Sequence, residues 1–391
     1  MNILFYSVFK ISPTKGGTEH TALTIAQTLN KQYGCTCYAI HSIDANTDNL
    51  EVFREQLYIP YKKLRLCVRN YIISRNIDVV LSEGSFDFTI YVRERCRDLR
   101  YLKNIYVHHF TPGWEENFFL WRDVYEEYKT ASGLHKIKKT IKMLLYPILR
   151  RRYILRLPTQ YRDVYNAADK VVLLSPQYIQ PFQTYGKFYD ARKFEVIPNA
   201  ISFPQILSQN ELLLNKKNKI LVVSRLEEIQ KRISIVLRIW KEIKKYDIAN
   251  EWSLDILGEG PSQQRYIHYA QKHKLKDIFF HGRKDPLEFY KEASIFMMTS
   301  RSEGFPLTLG EAMQNGCVPI VLDSFASLKD IISDGENGVI VSECDVEGYI
   351  AKLKMLMTDK AVREHLASKA FTSAQRFSQE EIAKKWWTII K

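Results

Sequence analysis

A chain of 391 residues with 46% hydrophobic and 26% charged residues, and only 16 glycines and 13 prolines, has the make-up of a folded protein with room for two cores. That excludes the collagen-like and disordered classes. Its 57 Lys and Arg against 44 Asp and Glu leave a net charge of +13, which points to an anionic partner such as a nucleotide, a nucleic acid or a membrane surface.

In chain order, residues 3–7 are predicted as a first buried strand, since the opening apolar run has neither a basic flank nor a small-residue cleavage site of a signal peptide. A polar loop reaches Gly16-Gly17, with Thr18 as a helix cap, and Ala22, Ile25, Ala26 and Leu29 mark a helix face at i, i+3, i+4, i+7. Strands follow at 35–40, 78–81, 104–107 and 170–174, alternating with helical stretches in the rhythm of a parallel sheet. After Pro198-Asn199 the polar, lysine- and asparagine-rich stretch 202–219 is predicted to be a linker. A second series then places strands at 219–223, 252–257, 278–281, 294–299 and 318–322, with helices at 233–243 and after Leu307. The chain closes on helices at 346–357, at 361–376 and from Gln379. This predicts an α/β protein of two doubly wound domains facing a cleft, with ligands beyond the carboxyl ends of the strands.

The longest later apolar run, 143–149, is far shorter than the roughly 20 residues of a spanning helix, so a cytoplasmic protein is expected. Cysteines at 35, 37, 67, 96, 317 and 344 have neither a disulfide framework nor zinc spacing. Residues 129–162 carry ten Lys or Arg and no acid around that apolar run. Such a segment is either a solvated basic face or a surface for anionic lipid headgroups on the inner face of the cell membrane. With no nucleic-acid motif beside the charge, nucleic acid is not expected as a partner.

Candidate chemistry concentrates in residues 301–316. Glu303 falls on the loop after a buried strand, Gly304 has no side chain, and the amides of Leu307, Thr308 and Leu309 open a helix containing Glu311. Free amides at a helix start suit an anion, and carboxylates beside them suit hydroxyls of ribose or sugar. A surface loop with two solvated acids is the bland alternative. Arg225 and Lys231, after the strand at 219–223, are two cations that suit a diphosphate, one as a planar fork and one as a point charge.

Residues 219–341 resemble the donor half of a family 4 retaining glycosyltransferase of GT-B architecture. The resemblance rests on Ser224-Arg225-Leu226 with Lys231, Gly258-Glu259-Gly260-Pro261, the run Glu303 to Glu311 with its E-x7-E spacing, Gly316 to Pro319, and Asp334 to Gly338. Gly16-Gly17-Thr18-Glu19 and Pro198-Asn199 extend it to nearly the whole chain. It implies a Rossmann-like acceptor-side domain over 1–202, a donor-nucleotide domain over 203–374 and a helix at 375–391 returning to the first domain. It implies transfer of a sugar from a nucleoside-diphosphate sugar of UDP or GDP type to a saccharide, lipid-linked, in polysaccharide or glycan assembly. Arg225 and Lys231 would hold the diphosphate, Glu303 the sugar hydroxyls and Glu311 the ribose. The backbone from Gly304 through Phe305, Pro306 and Leu307 to Thr308 would meet phosphates or sugar, and that near Arg283 the base. Gly16, Gly17 and Glu19 would line the acceptor side. Of the doublet after the strand at 104–107, His108 fits the family's strand-end pattern, with His109 close behind, and would join Glu303, Lys231 and Arg225 as a catalytic residue by orienting the donor sugar or stabilising developing charge; a structural histidine is the bland alternative.

Two positions depart from the family's pattern: Ser224 and Arg232 stand where glycine is common. No Asp-x-Asp occurs, so no metal or other cofactor is expected. A nucleotide-sugar epimerase of the same architecture and a non-enzymatic sugar-binding protein remain as alternatives. A dehydrogenase does not fit, because Gly258-x-Gly260 is followed by Pro261 and has Gln263 where a third glycine belongs.

Overall fold

The structure, a computed structural model, describes residues 1–13, 16–43, 50–204 and 208–391. The chain divides into two compact units, Met1–Ile197 with Ile389–Lys391, and Pro198–Thr388.

The first unit is built on seven parallel strands: β1 (Asn2–Phe9), β2 (Thr36–Ile43), β3 (Glu55–Tyr58), β4 (Val79–Glu83), β5 (Lys103–His108), β6 (Lys170–Leu173) and β7 (Phe194–Val196). Their order is β3-β2-β1-β4-β5-β6-β7. β1 is a near-continuous apolar run because both faces of the sheet are covered, and Ile3, Leu4, Phe5 and Tyr6 are fully buried. Helix Gly17–Tyr33 lays Ala22, Ile25, Ala26 and Leu29 into the core. It stops at Gly34, whose φ of +62° closes the last turn by donating its N–H to the Asn30 and Leu29 carbonyls. On the sheet's other flank, Leu64, Val68 and Ile72 of helix Tyr61–Ser74 join Phe88 and Val92 in one apolar cluster.

The second unit has six parallel strands: β8 (Lys217–Val223), β9 (Ser253–Leu257), β10 (Ile278–Gly282), β11 (Ala293–Met298), β12 (Val318–Asp323) and β13 (Val339–Ser342). They run in the order β10-β9-β8-β11-β12-β13. Helix Ile233–Ile243 buries Ile233, Val236, Leu237, Trp240 and Ile243 at helical spacing, each worth about 1.5–3 kcal/mol against solvent exposure. In each sheet the order reverses once, between β1 and β4 and between β8 and β11. At these points the connections leave to opposite sides, and the loops after the two strands open a crevice.

Part of the stretch predicted as a linker is helical. Residues 205–207 lie outside the described residues, but Gln209–Leu214 is a helix. Ser208 and Glu211 cap it reciprocally, so the polar residues that read as linker are a capping box. Three strands were not predicted, β3, β7 and β13, each of three or four residues at or near a sheet edge. All six cysteines are free. Among the described residues no helix is long and apolar enough to cross a membrane.

Candidate functional site

The switch point of the second sheet gathers the residues singled out for chemistry. β8 delivers Ser224 and Arg225, followed by a short helix Glu228–Lys231, and neighbouring β11 delivers the loop 299–306. Lys231 donates to Glu303 Oε1 at 2.5 Å, with both side chains largely shielded from solvent. The two loops are stitched together. Thr299 Oγ1 donates to the Lys231 and Arg232 carbonyls at 3.1 Å, Arg301 N–H donates to the Gln230 carbonyl at 2.6 Å, and Gln230 Nε2 donates to the Ser302 carbonyl at 3.0 Å. A small cavity lined by Ser224, Lys231, Thr299, Ser300 and Thr308 opens between them. Lys231 and Glu303 are thus held by backbone on both sides, as a preorganised charge pair.

Arg232 occupies its glycine-like position at a φ of +51°, a left-handed conformation that costs a non-glycine residue about 1 kcal/mol. Its guanidinium offsets that cost by donating to the Thr299 carbonyl at 2.9 Å, the Ser300 carbonyl at 3.1 Å and Glu343 at 2.7 Å. The arginine therefore keeps the glycine's turn and adds a tie to the β11 loop. Ser224 needs no such compensation, since its φ is not positive.

Helix Leu307–Gln314 begins at Pro306 with no side-chain cap, leaving its first amides for another acceptor. Glu311, one turn in, is buried and accepts from Tyr290 OH at 3.0 Å and from Ser202 Oγ at 2.5 Å. Burial, with Glu311 alongside, raises the Tyr290 phenol well above its usual range, so it stays a donor. Asn199, buried, donates from Nδ2 to the Phe305 carbonyl at 2.8 Å and leaves its Oδ1 without a partner. Phe305 itself packs edge-on against Phe377, which anchors the loop. Gln230, Tyr290 and Asn199 are positioning residues that sequence reasoning did not assign. Only Asn199 left a signal, in the Pro-Asn dipeptide.

Arg225 is exposed, its guanidinium 3.3 Å from Gln230 Oε1, and Arg283 lies 3.7 Å from Glu259. Gly258-Glu259-Gly260 packs directly on the Ser224–Leu226 loop. Leu226 N–H donates to the Glu259 carbonyl at 2.9 Å, and a Cβ on Gly260 would come within 2.5 Å of the Leu226 carbonyl oxygen. These glycines shape the cation-bearing loop.

In the first unit, Gly16 is the N-cap of helix Gly17–Tyr33, so Thr18 lies inside the first turn and is not the cap. Gly16 and Gly17 are exposed, while Glu19 is buried with its carboxylate close over Gly16. His108 and His109 are both buried, and His108 leaves its Nε2 without a partner. Along β5, Tyr106 and His108 share a face, and the His108 ring is enclosed by Phe86, Tyr106, Tyr161 and Phe182. Burial, with His109 adding to it, lowers its pKa to about 3, so it is a neutral core histidine. His109, past the strand end, pairs through Nε2 with Glu83 Oε2 at 2.6 Å and leaves Nδ1 without a partner.

Beside His108, burial raises the Glu115 carboxyl to about 7, although Tyr161 donates to it at 2.5 Å. Raised above its ordinary 4.5, Glu115 holds its proton in the folded state and costs stability as pH rises from 4.5 towards 7. His108, lowered from 6.5 to about 3, adds stability over an overlapping range. The Glu115→Gln variant should therefore lose stability on acidification from pH 6.5 to 4.5 more steeply than the wild type. Urea unfolding across that range is the measurement, and equal slopes would count against the assignment.

Two parallel doubly wound units are the fold of GT-B glycosyltransferases. The pneumococcal O-GlcNAc transferase, solved in complex with UDP and GlcNAc, superposes with a TM-score of 0.71 at 15% identity, covering 100% of this chain and 98% of that one. Residues 205–373 match the family model described as "Glycosyl transferases group 1". Among curated relatives, the amylovoran biosynthesis glycosyltransferase of Erwinia amylovora is 29% identical over 231 residues, 58% of this chain and 63% of its own. The N-acetylgalactosamine-N,N'-diacetylbacillosaminyl-diphospho-undecaprenol 4-alpha-N-acetylgalactosaminyltransferase of Campylobacter jejuni is 24% identical over 196 residues, 49% of this chain and 52% of its own. The chain thus spans between half and two thirds of the length of these two relatives.

Proposed function

We propose that the chain is a retaining family 4 glycosyltransferase that moves a sugar from a nucleoside-diphosphate sugar of UDP or GDP type to a lipid-linked saccharide in polysaccharide or glycan assembly. The observation that carries this reading is the Lys231–Glu303 pair at the switch point of the second sheet, a cation suited to phosphate beside a carboxylate suited to sugar hydroxyls. The names of the relatives support it: one is a glycosyltransferase of amylovoran biosynthesis, another extends a diphospho-undecaprenol saccharide, and the solved neighbour holds UDP and GlcNAc.

On this reading Lys231 and Arg225 take the diphosphate. As the bond between the anomeric carbon and the phosphate oxygen breaks, their charge meets the negative charge gathering on the leaving group. Glu303 exchanges its ion pair for donor hydroxyls, and Glu311, already oriented by Tyr290 and Ser202, accepts from the ribose. The uncapped amides at Leu307 and Thr308 complete the anion site. Gly16, Gly17, Glu19 and His109 serve the acceptor. No enzyme nucleophile is assigned, and the acceptor hydroxyl attacks on the face the diphosphate leaves.

Incubation with UDP- and GDP-sugars and a polyprenyl-diphosphate saccharide should extend the lipid-linked product. Conversion of the donor without an acceptor would instead make the protein an epimerase, and sugar binding without turnover a binding protein. Because the charge on the leaving group is met by Lys231 and Arg225, turnover should persist in excess chelator. Complete loss that is restored by magnesium or manganese would overturn that metal-free reading.

A further inference from the structure

The basic segment 129–162 folds into helix Gly133–Leu144 and the first part of helix Tyr146–Ala167, after helix Trp121–Thr130. Ile137, Ile141 and Leu144 recur at i, i+4 and i+7 on the first of these, and Ile148 and Leu155 at i and i+7 on the second. All five are between 52% and 72% exposed, which is the reverse of a helix docked on its own core. Lys136, Lys138, Arg151, Arg152 and Arg156 are exposed beside them, and Lys142 lies over the Phe119 ring at 5.5 Å. Leu155 carries the apolar surface into a groove of about 680 Å³ whose lining includes Ile154, Pro158 and Pro181 and, as charged residues, Arg162, Lys187 and Glu116.

We infer that this surface docks the protein on an anionic lipid bilayer, with helix Gly133–Leu144 lying in the interface and its isoleucines and leucine dipping below the headgroups. An apolar stripe bordered by cations has the chemistry of an interfacial helix. At 12 residues the helix is about 18 Å long, too short to span the roughly 30 Å hydrocarbon core. Ten cations and no acid over residues 129–162 also decide against a second copy of the chain, since a two-fold contact would set like charges against each other. Nucleic acid would pair with the cations and leave the aliphatic stripe in water. This inference goes beyond the transfer reading and does not rest on it, because binding is read without turnover.

The test is cosedimentation of the full chain with vesicles of phosphatidylcholine mixed with phosphatidylglycerol, against phosphatidylcholine alone. The wild type should pellet with the mixed vesicles only. An Arg151→Gln/Arg152→Gln variant should bind at least about tenfold more weakly, since each cation near such a surface is worth roughly fivefold, or ~1 kcal/mol. An Ile137→Asn/Ile141→Asn/Leu144→Asn variant should lose binding by more than about tenfold, and because these side chains are exposed both variants should melt like the wild type. No binding by the wild type, equal binding to neutral vesicles, or undiminished binding by the well-folded variants would each overturn the inference. So would a lipid-free dimer that the triple variant abolishes.

Discussion

Replacing Lys231 with alanine is expected to lower kcat/KM for sugar transfer by roughly two to three orders of magnitude, the usual loss when one preorganised charge at a developing anion is removed. The ammonium is held by Glu303 at 2.5 Å on a turn whose carbonyls are fixed by Thr299, so water cannot easily take over its place or its charge. The same change leaves Glu303 without its cation, and an orphaned, largely buried carboxylate has effects of its own. Stability and nucleotide binding separate the two causes, since Glu303 itself serves the donor sugar. A stranded carboxylate would lower the melt of Lys231→Ala, and adding Glu303→Gln would restore that melt, whereas a lost diphosphate contact weakens nucleoside-diphosphate binding equally in the single and the double variant. Transfer within tenfold of wild type in Lys231→Ala, with an unchanged melt, would remove Lys231 from the leaving-group site.

Gly258→Ala should be the most damaging small substitution in the second unit. Its φ is +127°, and a Cβ there would sit 1.8 Å from the Ser224 carbonyl oxygen, backbone that β8 holds in place. Backbone strain of about 1–3 kcal/mol and overpacking of similar size add to several kcal/mol. For a unit of this length that lowers its melting transition by on the order of 10 °C. Gly34→Ala is the matched control: φ is +62° but nothing lies within 4 Å of the added methyl, so only the backbone cost of about 1 kcal/mol remains. Thermal melts followed by circular dichroism compare them, and equal shifts in the two variants would show that the close approach to Ser224 carries no weight.

The central strands were legible because β1, β8, β11 and β12 are covered on both faces and so read as apolar runs. β3 and β7 were not, since four residues with one buried, or three half-buried ones, carry no period. Lys231 stood out with Arg225 in the segment after β8, and Glu303 on the loop after β11. The pairing of Lys231 with Glu303 could not, because 72 residues separate them and only the placement of β8 beside β11 closes that distance. For His108 and His109 the residue types were uninformative. The alternation of faces along β5 sends His108 into the aromatic cluster with Tyr106 and leaves His109 to pair with Glu83 past the strand end.

The short strands that escaped notice have a consequence for how the chain behaves in a crowded solution. Of the four outermost strands, β3, β7 and β13 have four, three and four residues, and β10, with five, slips register against β9 near Gly282. Each offers little unpaired backbone for another chain to add to, and Glu195 on β7 is already engaged by Lys170. Parallel sheets are slow to assemble and expose their long apolar strands while they do so. Putting β1, β8, β11 and β12 inside and ending each sheet on a stub keeps the finished fold from templating aggregates of its own central strands.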